Sequence, residues 1–453
     1  MRFYGREKEL ALIRKAVAGD FAFVVVYGRR RIGKTRLVRE ALADVPHIDI
    51  FVPRKRSKQA LEYFRERLAE LEGFSPSFGT VDEFLHYALL RTGKTVFLDE
   101  VGNFQFVDPS AFSTIQRIVD ENKGKSPLRL ILSGSYVNLM KKIFASRKEP
   151  LFGRATHILE LPPLPVHVAI RMLMDRGFPF DDAVGVWCIT GGVPRYIEAA
   201  EGESLERYVQ DITSPGSFLI SEGENALVQE FGRRWETHFS ILEEMGRGTD
   251  RPSEIAQRIG MNPLALPKYL GMLEGLNLVE RFRPVLGKER YVRYRFRDNF
   301  YRFWFRFIYP RIEELRSGFD APADLEGVRS HTGRLAERFV AELIRFRRPF
   351  EFSRLGPWWS RKGDEIDLIA LEKKRAVFIE VKWTGRKVEW PEVEALVAKS
   401  ALVERARNVE KRYLMVSRSS FTAHCLRAMD DAGIMHWDRA DLQRLLFGKG
   451  EAP

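Results

Sequence analysis

The sequence predicts an α/β multidomain chain: a phosphate-loop domain on a parallel sheet, a winged helix-turn-helix, and a second α/β domain toward the C-terminal end. Three observations predict it. An apolar strand runs into Gly28-x4-Gly33-Lys34-Thr35 and then into a helix. Three short amphipathic helices and two strands follow in the middle of the chain. Near the end, a helix with Glu, a strand with Asp, a strand with Glu-x-Lys and a further helix occur in that order. A length of 453 residues, 45% hydrophobic and 30% charged, accommodates about three domains and excludes disordered and fibrous classes.

The 74 Lys and Arg against 62 Asp and Glu leave a formal charge of +12, a balance that favours polyanionic partners, DNA among them. Cys188 and Cys425 are too few for a disulfide framework and lie in no Cys-x-x-Cys pair, which points to a reducing, cytoplasmic setting. The start, Met-Arg-Phe-Tyr-Gly-Arg-Glu, lacks the apolar core of a signal peptide, and no membrane association is expected.

Phe-Ala-Phe-Val-Val-Val-Tyr (21–27) is apolar throughout, as a strand buried on both faces requires. Gly28, Arg29, Arg30, Arg31, Ile32, Gly33, Lys34, Thr35 and Arg36 follow it and lead into a helix-forming run. The glycines let loop N–H groups face phosphates, Lys34 neutralises β/γ charge, and the Thr35 hydroxyl ligates Mg²⁺. A second apolar strand ends in Asp99 and Glu100, where an open parallel sheet places its chemistry. Asp99 is expected to hold Mg²⁺ through water, and Glu100 to orient or deprotonate the attacking water. A third strand ends in Ser133-Gly-Ser135, whose hydroxyls reach the γ-phosphate or the water unless Ser133 serves as a helix cap.

Residues 235–245, 252–259 and 264–276 read as amphipathic helices, and 278–282 and 291–296 as strands joined by a turn at Leu286-Gly-Lys-Glu. That order is a winged helix-turn-helix. Its later helix offers Lys268 but no Asn, Gln or Arg to read bases, so it either touches DNA non-specifically or packs within the chain. The following stretch concentrates Arg281, Arg283, Lys288, Arg290, Arg293, Arg295, Arg297, Arg302, Arg306, Arg311 and Arg316 among aromatics. The aromatics read as core and the wing arginines as phosphate contacts.

Beyond a Gly-Phe-Asp-Ala-Pro-Ala-Asp break (318–324), Glu337 lies on an amphipathic helix, Asp367 on a strand, and Glu380 and Lys382 on the next. Period-two alternation puts Glu380 and Lys382 on one face of that strand, where Asp367 can meet them. Asp367 and Glu380 are expected to ligate Mg²⁺ for phosphodiester hydrolysis, with Lys382 stabilising charge and Glu337 adding a carboxylate. Lys399 is an accessory position on the helix after Trp390-Pro. The competing reading is a surface strand with an i, i+2 charge pair.

Tyr4-Gly5-Arg6-Glu7, Leu-Asp99-Glu100, Ser133-Gly-Ser135, Pro150-Leu-Phe-Gly153-Arg154 and Gly191-Gly-Val-Pro-Arg-Tyr196 resemble the archaeal-type ATPases of the STAND/AAA+ group over about residues 1–200. By that resemblance the nucleotide is ATP, the Gly5-Arg6-Glu7 box lies over the adenine, and Gly191–Tyr196 opens a helical lid. Arg154 is then an arginine finger or sensor, or else a salt-bridge partner, and a homo-oligomeric ring is one form such chains could take. The C-terminal constellation resembles the PD-(D/E)xK nuclease superfamily in its Glu-Ile-Asp…Glu-Val-Lys form, whose domain is restriction-endonuclease-like. The combination resembles an archaeal ATPase joined to a DUF234-type domain.

The expected layout is a P-loop ATPase core at 1–165, a helical lid and connector at 166–235, a winged helix-turn-helix with its basic aromatic extension at 236–318, and a nuclease-like domain at 325–453. The function expected of it is ATP binding and hydrolysis with a metal-dependent DNA nuclease gated by nucleotide state. The alternative is an ATPase signalling switch or DNA-binding regulator whose nuclease-like fold does not cleave.

Overall fold

The computed structural model describes residues 2–74, 76–232, 235–286, 292–318, 323–360 and 362–448. The chain divides into two compact units. The first comprises Met1–Pro163, Val193–Arg195 and Gln229–Gly232; the second comprises Leu164–Gly192, Tyr196–Val228 and Arg233–Pro453.

In the first unit, β1 (Phe21–Tyr27), β2 (His47–Phe51), β3 (Thr95–Asp99), β4 (Leu128–Gly134) and β5 (His157–Glu160) form one parallel sheet in the order β2-β3-β4-β1-β5. Ala22 to Val26 are wholly enclosed, which is why β1 is an unbroken apolar run. The register sets Tyr27 beside Gly134 and Leu98 beside Leu132, so the ends of β1, β4 and β3 lie in a row. Parallel strands need crossover connections, and the helices Glu7–Val17, Lys34–Ala41, Ser57–Glu72, Val81–Leu90 and Ala111–Asn122 supply the covering layers.

The second unit begins with the helices Val166–Met174, Phe180–Thr190, Leu205–Thr213 and most of Phe218–Phe231. Three further helices, Trp235–Gly246, Pro252–Arg258 and Leu266–Gly275, precede the antiparallel pair β6 (Val279–Phe282) and β7 (Arg293–Phe296). Lys288, Glu289 and Arg290, within the expected connecting turn, lie outside the described residues, as do residues 319–322 of the expected boundary. The aromatic run after β7 is core: Phe300, Tyr301, Phe303, Trp304 and Phe305 are all at most 2% exposed. Trp304 Nε1 donates to the Ile220 carbonyl at 3.0 Å, which satisfies the buried indole.

That packing fixes the size of residue 223. A Cβ on Gly223 would overlap the indole of Trp304. Gly→Ala inside a helix ordinarily stabilises by about 1 kcal/mol, but overpacking of a dense core costs about 1–3 kcal/mol or more. Gly223→Ala is therefore expected to lower the melting temperature by several degrees, and a melting temperature at or above wild type would disprove this account of the packing.

Downstream, β8 (Arg354–Trp359), β9 (Glu365–Glu372), β10 (Arg375–Lys382), β11 (Glu410–Ser417) and β12 (Met435–Trp437) form a mixed sheet in the order β12-β11-β10-β9-β8. The β8–β9 and β9–β10 pairs are antiparallel, whereas β10–β11 and β11–β12 are parallel. The helix Leu325–Arg347 packs on β9 and β10. The helix Trp390–Ala401 opens with a reciprocal capping box between Glu389 and Glu392 and contributes Val393 and Leu396 to the core with Ile369, Phe378 and Met415. Among the described residues no helix is long and apolar enough to cross a membrane.

Candidate nucleotide and metal sites

The loop after β1 is shaped by backbone demands. A Cβ on Gly28 would come within 2.7 Å of the Leu161 carbonyl oxygen, so nothing larger than glycine fits there without a shift. Gly33 has φ +91° and precedes the helix Lys34–Ala41, whose open N–H groups face the loop. Arg31 also adopts the left-handed region, at φ +65°. Lys34 is enclosed and donates to the Gly28 carbonyl at 3.0 Å, the Arg29 carbonyl at 3.1 Å and Ser135 Oγ at 2.7 Å. Burial pulls its pKa down, opposed by the charges of Glu100 and Asp99.

Two short chains of hydrogen bonds join the ends of β1, β3 and β4. In one, Thr35 Oγ1 donates to Asp99 Oδ2 at 2.7 Å while Ser133 Oγ and the Glu100 N–H donate to Asp99 Oδ1. In the other, Ser135 accepts from Lys34, its N–H donates to Glu100 Oε2 at 2.9 Å, and its hydroxyl donates to Glu100 Oε1. Glu100 itself is left-handed, with φ +57°, which turns its carboxylate back over the strand ends. The strand order explains the pattern, because β4 lies between β1 and β3 and its terminal serines reach both neighbours.

The sequence-predicted nucleotide residues thus gather at one edge of the sheet, with Arg29 and Arg31 half-buried and Arg30 exposed. Thr35 and Asp99 present a hydroxyl and a carboxylate, hard oxygen donors that fit Mg²⁺. Ser133 bonds Asp99 and so braces the acid from behind. Arg154 pairs with Asp120 through Nε at 2.9 Å and Nη2 at 2.8 Å and donates to the Pro150 carbonyl, a salt-bridge role in this state. Arg6 donates to the Pro162 carbonyl and pairs with Glu9, tying the start of the chain to the segment after β5.

Glu230 is a site residue that sequence reasoning missed. Its Oε1 accepts from the Val137 N–H at 3.4 Å, and its buried Oε2 has no hydrogen-bond partner. Burial pushes its carboxyl up to about 7, with Arg29 and Lys34 pulling down and Glu100 pushing up. It lies about 200 residues from the loop it faces, and no local pattern marks such a residue.

In the second unit, Glu380 near the end of β10 is gripped by two lysines. Lys382 Nζ lies 2.8 Å from its Oε1, and Lys399 Nζ lies 3.1 Å from Oε1 and 3.3 Å from Oε2. Asp367 Oδ2 accepts from the Val381 N–H at 2.7 Å, because the antiparallel β9–β10 register carries Asp367 to the end of β10. Glu337, one helix away, is in the electrostatic field of Asp367 and Glu380. Burial is the first cause raising Asp367 to about 7, and Glu380 adds to it against the pull of Val381 N–H, Lys382 and Lys399. Burial and then Asp367 raise Glu337 to about 8.

Among the described residues no three or more His, Cys, Asp and Glu side chains converge as a metal cluster. Asp367 and Glu380 lie on adjacent strands, and Glu337 is within their electrostatic field. Two carboxylates suit Mg²⁺, which is usually held by one or two protein carboxylates.

A parallel sheet whose first strand delivers a Gly-x4-Gly-Lys-Thr loop beside an acidic strand end defines a P-loop ATPase domain. Accordingly, residues 3–200 match a family described as an ATPase domain predominantly from Archaea, and residues 304–393 match one described as archaeal and bacterial proteins of unknown function, DUF234. The chain belongs to the same family as the uncharacterized protein MJECL04 of Methanocaldococcus jannaschii, with 31% identity over 396 residues, 85% of this chain and 88% of that protein. Among solved structures it is similar to the Walker-type ATPase PABY2304 of Pyrococcus abyssi, with 16% identity and a TM-score of 0.51 over 67% of this chain and 96% of that one. It also matches the ORC2 protein of Aeropyrum pernix at 13% identity and a TM-score of 0.45, over 70% and 96% of the two chains.

Proposed function

We propose that this protein binds and hydrolyses ATP at the phosphate loop and cleaves DNA at the Asp367–Glu380 site, with cleavage gated by nucleotide state. The reading is supported most by one observation: Glu380 held by Lys382 and Lys399 beside a raised Asp367, an arrangement that a solvated charge pair on a surface strand does not need.

At the nucleotide site, Lys34 exchanges its loop carbonyls for phosphate oxygens, and Thr35 and Asp99 would hold Mg²⁺. The metal supplies charge neutralisation on the β/γ-phosphates when bound. Glu100, fixed by Ser135, orients the attacking water and accepts its proton. Ser135→Ala removes both a Lys34 acceptor and the hydroxyl that aims Glu100. It is expected to lower phosphate release about 10- to 100-fold while nucleotide affinity changes less than about threefold. Unchanged turnover would remove Ser135 from the site.

At the second site, Asp367 and Glu380 would hold Mg²⁺, which supplies Lewis-acid polarisation of a phosphodiester when bound. Lys382 and Lys399 hold the Glu380 carboxylate in place. Lys382, half-buried at the end of β10, remains available to the charge that develops on phosphate oxygens. The three helices with β6 and β7 are read as a winged helix-turn-helix that presents the chain to DNA.

The test is cleavage of labelled linear, branched and single-stranded DNA with Mg²⁺, without nucleotide, with ATP and with a non-hydrolysable analogue. Asp367→Ala and Glu380→Ala are expected to abolish cleavage and leave ATP turnover intact. Cleavage that survives both substitutions means the assigned residues are wrong. No cleavage by the wild type in any nucleotide state, with ATP still hydrolysed, favours the signalling-switch reading.

A further inference from the structure

We propose that the loop 53–56, with the exposed rings of Phe51 and Phe106 beside it, is a binding site for single-stranded DNA on the first unit. The inference rests on the DNA partner proposed above but not on cleavage, and the site uses residues that the nucleotide and carboxylate sites do not.

A formal charge of +12 has to be accessible if it is to meet a polyanion. The wing arginines do not supply it, since Arg293 pairs with Asp250 and Arg295 with Glu280. Arg54, Lys55 and Arg56 are consecutive and exposed, and among the described residues no carboxylate pairs with any of them. Other cations around the same strand are neutralised, Arg39 by Asp49 on β2 and Arg67 by Glu70. The backbone adds to the effect. Arg56 directly precedes the helix Ser57–Glu72, whose first turn has no acidic residue and whose start has no side-chain cap. Its open N–H groups and dipole raise the positive potential at the loop further.

Aromatic rings accompany these charges. Arg54 lies over the Phe106 ring at 4.2 Å, and Lys55 over the Tyr63 ring at 6.0 Å. Phe106 is 42% exposed, and Phe51, the last residue of β2, is 44% exposed. Cations that follow phosphates, with rings and guanidinium planes on which unpaired bases stack, are the two components of a single-strand site. A duplex keeps its base faces inside the stack and could use the charges alone.

The loop is also tied to the catalytic edge of the sheet. Phe51 is in register with Asp99, and the Val52 N–H donates to the Asp99 carbonyl at 2.8 Å. Asn103 Nδ2 donates to the Val52 carbonyl at 2.9 Å, and Asn103 lies between Glu100 and Phe106 in the chain. A DNA strand seated on the loop therefore lies at the sheet edge that holds Asp99 and Glu100.

The experiment is fluorescence anisotropy of a labelled oligothymidine, and of a duplex of equal length, with the full chain in EDTA across a salt series. The proteins are wild type, Arg54→Ala, Arg56→Ala and Phe106→Leu. Each arginine substitution is expected to weaken single-strand binding about fivefold at 0.1 M salt and to make the slope of log K against log salt shallower by about 0.7, the signature of one lost phosphate contact on a single strand. Phe106→Leu keeps an apolar side chain but removes the ring. It is expected to weaken single-strand binding about fivefold or more, with the slope unchanged and duplex binding within about twofold of wild type. If Phe106→Leu fails to fold, the exposed Arg56→Ala still carries the test. Wild-type affinity and slope in both arginine variants, or no single-strand binding by the wild type, overturn the site. Duplex bound as tightly as the single strand, with Phe106→Leu without effect, overturns the single-strand assignment. Duplex binding indifferent to all three substitutions, with no binding of oligothymidine, keeps the DNA partner and refutes this site. Arginine-dependent binding by a protein that never cleaves DNA keeps the site and refutes the nuclease reading separately.

Discussion

Glu100→Gln is expected to retain ATP binding and lose about 10²- to 10⁴-fold in turnover, the range that a positioned general base contributes. The substitution is nearly isosteric. Its amide oxygen can still accept from the Ser135 N–H, as Glu100 Oε2 does at 2.9 Å, so the serine and Lys34 keep their places. Only the capacity to take a proton goes. Steady-state phosphate release and nucleotide titration separate the two effects. Turnover within threefold of wild type would assign the water to another group, and lost binding would mean that Glu100 is structural.

The second expectation concerns stability against pH in metal-free buffer. Asp367 and Glu337 have folded pKa values of about 7 and about 8, above their ordinary 3.8 and 4.5. Between those limits the folded chain binds more protons than the unfolded one, so stability falls as pH rises and the loss is complete above about pH 8. Below about pH 4 the pair contributes nothing. His331, whose pKa burial lowers, works in the opposite sense up to its ordinary 6.5, so pH 6.5–8 is the window free of it, and Glu230, raised to about 7, adds a loss of the same sign there. The loss is on the order of a few kcal/mol, or several degrees in melting temperature. Mg²⁺ should restore it at pH 8, and Asp367→Asn should flatten the curve and abolish that rescue. A wild-type melting temperature that is constant or rises across the window defeats the argument.

Much of this was legible because the relevant residues are neighbours in sequence. The phosphate loop is one contiguous segment between a strand and a helix, and Asp99 and Glu100 end a strand of the same sheet. Asp367, Glu380 and Lys382 sit on adjacent strands, where period-two spacing alone brings them together. Lys399 followed from its place on the next helix. What sequence could not reveal depends on distant segments meeting. Ser135 links Lys34 to Glu100 only because β4 is inserted between β1 and β3, and strand order has no local code. Glu230 approaches the loop from a helix far downstream. Within the basic run, Arg297 bonds Asn277 at the surface. Wing arginines that read as phosphate contacts are engaged with acids, Arg293 with Asp250 and Arg295 with Glu280.

The strand order also carries a consequence for how the protein is made. Both neighbours of β1 are encoded late, at residues 128–134 and 157–160, and the compact unit that holds β1 also includes 193–195 and 229–232. At about 5–20 residues per second of synthesis, the phosphate-loop strand waits on the order of ten seconds or more for its first partner. During that interval Phe21 to Tyr27 is a naked hydrophobic segment with both edges open, a natural client for a ribosome-associated chaperone. A fragment ending near residue 165 would contain every strand yet omit Glu230, so the shortest nucleotide-binding fragment is expected to extend past residue 232.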